Sequence, residues 1–145
     1  MITHRAKILV LVGLLLTLLA GCVSSIPFQK ASVEQGKALI YVFRPESVFA
    51  RGEMFKLEVN GSPQGMLLNN AYLPLQVDPG EATLKVLQNS PVPKPPLASL
   101  KLTAQAGGAY YVKVKPGIAW TVEMLQLDRE QGAKEIGSTV FYQTR

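Results

Sequence analysis

Turn signals recur along this chain at intervals of roughly ten residues, and that spacing leaves room for short strands and little else. Asn60-Gly61, Asn69-Asn70, Pro79-Gly80, Gly107-Gly108 and Pro116-Gly117 punctuate the sequence. Asn-Gly tolerates positive φ at both positions and is a strong hairpin signal. Pro then Gly suits the two central positions of a type II turn. Between these marks the residues alternate. Phe55, Leu57 and Val59 oppose Lys56 and Glu58; Ala82, Leu84 and Val86 oppose Thr83 and Lys85; Tyr110, Val112 and Val114 oppose Tyr111, Lys113 and Lys115. That is the period of a strand with one face buried.

"ALIYVFR" at 38–44 is apolar almost throughout, which predicts a central strand buried on both faces, stopped by Pro45. Further strands are expected at 65–68, 71–77, in "ASLKLTA", over 119–128 and in "STVFY", with a polar turn at "REQGAKE". Pro74 favours an edge. The four prolines of 91–96 make a loop or a rigid extended connector. No stretch after residue 30 has a helical period. The expected fold class is all-β: a β-sandwich, immunoglobulin-like or transthyretin-like, or a partial barrel, of about eight short, mostly antiparallel strands.

The first residues obey a different rule. Arg5 and Lys7 precede an uncharged run from Ile8 that ends in small residues at Ala20 and Gly21. This is the layout of a secretory signal peptide. A membrane span needs about 20 apolar residues; the run to Val23 falls short, and Ser24, Ser25 and Pro27 close it. "LAGC" at Leu19, Ala20, Gly21 and Cys22 looks like a bacterial lipobox. That resemblance implies a diacylglycerol on the Cys22 thiol, cleavage before Cys22 with Leu19, Ala20 and Gly21 as the peptidase recognition segment, and acylation (palmitate) of the new amino group. A thiolate is the right nucleophile for such a transfer. Residues 1–21 are therefore expected to be a cleaved signal peptide, 22–36 a lipidated flexible tether spanning roughly 20 Å, and 37–145 the folded domain.

Cleavage empties the chemical inventory. It removes His4, the only histidine, and acylation occupies the only cysteine. Ser–His–Asp and Cys–His catalysis need an imidazole base, zinc sites draw on Cys and His, and a lone cysteine makes no disulfide within the chain. No DxDxDG calcium loop, GxGxxG or GxxxxGK[ST] stretch occurs. The net charge of +5 comes from scattered basic residues with no run suited to nucleic acid. Paired-carboxylate hydrolysis survives this filter, but Glu58, Asp78, Asp128 and Glu130 fit strand and turn positions. No catalytic residue, cofactor or metal is expected.

From "KALIYVFRPES" through "LEVNGSPQGMLLNNAYLPLQVDPGEATLKV" the chain resembles a bacterial lipoprotein family, that of domain of unknown function 2846. The resemblance rests on the strand ending in Arg44-Pro45, on "VNGSPQG" at 59–65, on "NNAYL" and on "DPGEATL". It covers roughly residues 37 to 88 well and implies a compact exported β-domain with no established active site to carry over.

Arg44, Arg51, Tyr111 and Trp120 are the candidate interaction residues. Structural roles compete for Arg44, as a strand-end charge paired with a carboxylate, and for Tyr111 and Trp120, as core aromatics. The expected function is a non-catalytic binding or envelope-accessory module, held to a membrane through Cys22 and contacting an envelope protein. Val23 follows the cysteine where inner-membrane lipoproteins commonly carry Asp, which by resemblance places the protein on the outer membrane facing the periplasm. The alternatives are a small subunit or pilot of a secretion or envelope assembly, and a carboxylate-based cell-wall hydrolase.

Overall fold

A computed structural model describes residues 23–144. Ten strands form two sheets: β1 (Val23–Pro27), β2 (Ala38–Arg44), β3 (Phe55–Val59), β4 (Ser62–Leu67), β5 (Ala71–Val77), β6 (Gly80–Gln88), β7 (Ala98–Ala104), β8 (Ala109–Pro116), β9 (Val122–Leu127) and β10 (Val140–Thr144). One sheet has the order β1-β10-β5-β2-β8-β9 and the other β4-β3-β6-β7. The chain is an all-β sandwich, mostly antiparallel; β2 with β8 and β10 with β5 are the parallel pairs.

Strand β2 is buried at every residue, as its composition predicts. Ala38, Ile40 and Val42 face the second sheet and join the main core with Phe55, Leu57, Leu84, Val86 and Val112. Leu39, Tyr41 and Phe43 face the other way into a second cluster with Tyr72, Tyr111 and Ile136. Phe28, Ala31 and Val33 cover that cluster. The Tyr41 hydroxyl accepts a 2.8 Å bond from the Ala31 N–H, and the Tyr72 hydroxyl accepts one of 3.2 Å from Gln29. Burial raises the pKa of Tyr41.

Residues 23–36 therefore do not form the expected tether. Val23–Pro27 pairs antiparallel with β10, and the segment after it lies on the outer face of the larger sheet. The sequence disguises this because "VSSIP" is too short and polar to show a period. The polar turn expected at "REQGAKE" is a helix, α1 (Arg129–Ile136), capped by the Asp128 side chain accepting from the Gln131 N–H at 2.9 Å. Only Gly132 and Ile136 of it are buried, so no apolar stripe announces it. Asp128 and Gln131 have the spacing of a capping box, the one local signal available. Strand β4 begins at Ser62, three residues before the expected return strand, with a bulge opposite Leu57 and Glu58. Pro79-Gly80 carries the chain from one sheet to the other instead of closing a hairpin.

Register defines two poles. β2 climbs from Ala38 at the base to Arg44 at the apex. Antiparallel β5 puts Ala71 at the apex and Val77 at the base, and parallel β8 rises past Arg44 to Pro116. The crossing at Asp78 and Pro79 is basal, so β6 climbs to Gln88, beside Phe55. The segments 45–54, 68–70, 89–97 and 117–121 consequently gather at the apex.

Candidate functional site

The apical pole holds a groove, and its origin is a proline. Leu39 donates its N–H to the Gly108 carbonyl at 2.9 Å, which sets the phase of the β2–β8 ladder: the backbone N–H and C=O groups of odd-numbered β2 residues point toward β8. The ladder ends at Phe43–Lys113. Residue 45 would bond next, but proline has no N–H. β2 turns away while β8 continues to Pro116 alongside β9 alone. The opening is a cleft of about 530 Å³ with Pro45, Phe49, Val114, Pro116 and Ile118 among its walls. A smaller cleft of about 180 Å³ adjoins it between Phe49, Ala50, Gly117, Ala119 and Trp120.

Each wall has its own support. The loop after β2 is held from inside by Arg44, which is fully buried. Its guanidinium donates to the carbonyls of Glu53 at 2.8 Å, Ala50 at 2.5 Å and Phe49 at 3.4 Å, and lies 4.6 Å from the centre of the Phe55 ring. Burial lowers its pKa, against the nearby charge of Glu53. Ser47 fixes the loop's entry, donating its N–H to Asn69 Oδ1 at 3.1 Å and accepting from the Phe49 N–H at 3.1 Å.

The facing wall is a tight turn. Gly117 N–H donates to the Thr121 carbonyl at 2.8 Å, and the Thr121 hydroxyl donates to the Ile118 carbonyl at 2.8 Å. A Cβ on Gly117 would sit 2.6 Å from Thr121 Oγ1, so a larger residue there would push the Thr121 hydroxyl off its bond to Ile118. Ala119 and Trp120 both have positive φ, 54° and 64°. Left-handed backbone costs a non-glycine residue about 1–2 kcal/mol, and such strain gathers at functional sites. Here it leaves Ile118 and Trp120 pointing into solvent, 72% and 58% exposed.

Among the described residues seven large apolar side chains are exposed, and six of them, Val48, Phe49, Met54, Val92, Ile118 and Trp120, belong to the apical segments. Leu125, within β9, is the other. Of the apical six, Phe49, Ile118 and Trp120 line the two adjoining clefts, and apolar exposure around a cleft marks interaction sites. The charged groups nearby are partnered. Lys113 bonds Glu135 at 2.5 Å, both mostly buried, and with Gln131 it holds the Glu135 carboxyl below its usual range. Lys115 lies 3.9 Å from Glu123, and Arg51 3.5 Å from Glu46. Glu46 is the one carboxylate among the residues lining the larger cleft. Among the described residues no three His, Cys, Asp or Glu side chains cluster as metal ligands do.

The four candidate residues thus divide. Arg44 is no surface group and, among the described residues, pairs with no carboxylate: its position on the inward-facing stripe of β2 sends it between the sheets. Tyr111 is core, stacked on Tyr41 at 5.2 Å. Arg51 and Trp120 are exposed at the apex, in separate loops. Sequence reasoning missed Phe49 and Ile118; an apolar residue inside a turn-rich loop was the available signal. Leu19, Ala20, Gly21 and Cys22 lie outside the described residues, as does the whole predicted signal segment.

Residues 34–122 match the model of a family described as "Protein of unknown function (DUF2846)". The chain belongs to that family. The matched stretch of the DUF2846 chain runs from just before β2 to the first residue of β9, and so contains both walls of the groove, Arg44 and Trp120. β1, α1 and β10, which pack on the outer side of the larger sheet or extend it, fall outside the match. No curated protein matches the chain.

Proposed function

We propose that this protein is a lipid-anchored binding module of the bacterial cell envelope, attached through Cys22 to the outer membrane on its periplasmic side, whose apical groove receives an apolar segment of another envelope protein. The observation that carries the binding reading is the exposure of Phe49, Ile118 and Trp120 around a cleft whose volume falls in the usual range for ligand sites. The lipobox-like "LAGC" carries the anchor reading. Hydrolysis by a carboxylate pair draws no support from a cleft lined by Glu46 alone.

Two measurements test this. Cys22→Ser should leave the signal segment uncleaved and the protein without acyl mass; a mutant of unchanged mass and membrane retention refutes the anchor. A photo-crosslinking residue at Ile118 should give a discrete adduct in cells that the same residue at basal Ala106 does not. Equal adducts from both positions, or none from Ile118, refute the apical binding face. A stoichiometric complex surviving mild detergent would instead favour a subunit of an envelope assembly.

A further inference from the structure

The position of β1 bears on how the domain meets its membrane. Val140 sits beside Ala71 at the apex, and β10 runs parallel to β5 toward the base. Four residues on, Thr144 pairs with Val23. Val23 therefore lies about 13 Å below the level of Val140 at 3.3 Å per residue. β8 carries the opposite wall past Arg44 to Pro116, and Trp120 lies beyond it. In register levels Val23 and Trp120 are separated by at least about 20 Å along the strands. They are also four strand positions apart across the sheet, which adds about 19 Å sideways.

Cys22 is bonded directly to Val23, and from Val23 onward the backbone is paired. No free segment separates the anchor atom from the sheet. The two poles also differ in chemistry. The apex carries the exposed apolar side chains, whereas Lys37, Asp78, Glu81 and Gln105 stand at the base. Polar, hydrogen-bonding groups suit lipid headgroups and carry no tendency to insert.

We infer that the lipidated protein stands directly on its anchor, with its basal pole against the lipid headgroups and its apical groove held out in the aqueous space. This rests on the reading of Cys22 as the lipidation site. The exposed apolar residues of the apex are then not a membrane-insertion device for the anchoring bilayer.

Trp120 is the only tryptophan in the chain, so its emission reports the apex alone. The lipidated protein, purified from membranes, is reconstituted into phosphatidylcholine vesicles with brominated acyl chains. Trp120 should keep its full emission and remain as open to aqueous acrylamide as in detergent. A basal probe supplies the contrast. Ala106 is exposed in the turn between β7 and β8. With Cys22 acylated, Ala106→Cys provides the single free thiol for a fluorophore. Vesicles bearing a nitroxide on the headgroup should quench that probe and spare Trp120. Quenching of Trp120 by brominated chains, or equal quenching at both poles, overturns the orientation. A protein whose mass shows no acyl group on Cys22 overturns the anchor reading and this inference with it, and mass alone tells that failure from a wrong orientation.

Discussion

Replacing Arg44 with methionine removes the buried cation that ties the 45–54 loop to the interior from below. Methionine keeps much of the volume over Phe55 and discards the charge. Three backbone carbonyls, those of Phe49, Ala50 and Glu53, lose a cationic donor. A hydrogen bond to a charged group contributes about 1.5–3 kcal/mol, and the 2.5 and 2.8 Å contacts are the two that count at full strength. Against this stands the relief of no longer burying a cation; apolar replacement of buried charge is often neutral or better. The loop carbonyls decide the balance, because they stay behind. The expected net loss is about 2–4 kcal/mol, or roughly 10 °C in melting temperature for a domain of this size. Arg44→Lys should fare no better, since one ammonium cannot reach three carbonyls in a fork. Urea unfolding measures the total, and amide exchange over 45–54 locates it: protection should fall there first and little within β6 or β8. A methionine variant within about 0.5 kcal/mol of the parent, with unchanged exchange in the loop, would refute this account of how the groove wall is held.

Two further substitutions probe what surrounds the site. Gly132 in α1 packs against the Tyr111 ring so closely that an added Cβ collides with it; Gly132→Ala should cost about 1–3 kcal/mol despite better helix propensity, and a stabilised variant in thermal unfolding would contradict the packing. Glu135 is the pH-sensitive partner of Lys113. Its folded pKa lies below the ordinary 4.5, so the unfolded chain binds the extra proton on acidification. The pair's stabilisation is complete above about pH 5 and is lost as pH falls through the folded value; Glu135→Gln should therefore be less stable than the parent at neutral pH and match it in acid, as paired urea titrations would show.

What local sequence can encode, it encodes here. Alternation in β3 and β6 places Leu57, Leu84 and Val86 on the inner face, and Asn60-Gly61 adopts the positive φ expected of it, 50° and 80°. Continuous apolarity marks β2 because both its faces are covered. Alternation, however, names a face and not a neighbour. Nothing near Ala38 or Ala109 says that β2 and β8 run parallel, or that the turn at Pro79 passes between sheets. α1 escaped because Ile136 alone supplies its apolar side-chain contact. Arg44 was misread because a charge at a strand end is ordinarily solvated; its inward register and the three waiting carbonyls are non-local facts. Sequence alone cannot decide between surface and core for Trp120 for a related reason. Backbone strain at Ala119 and Trp120 turns the indole outward, and strain leaves no trace in hydropathy. The groove itself was half legible: Pro45 was read as the end of a strand, while the cleft it opens depends on β8 continuing beyond it.

The pairing of β1 with β10 has a temporal side. The first described strand of the chain finds its partner in the last, and synthesis of the residues between them takes on the order of ten seconds. Until β10 emerges, β1 has no ladder to join, and its backbone stays available to whatever acts on the nascent chain. On the proposed reading of Cys22 as the lipidation site, an enzyme acting there before β10 arrives meets β1 unpaired, and one acting later meets it paired. On that reading folding sets a deadline for modification, and a chain truncated before Val140 would never reach it.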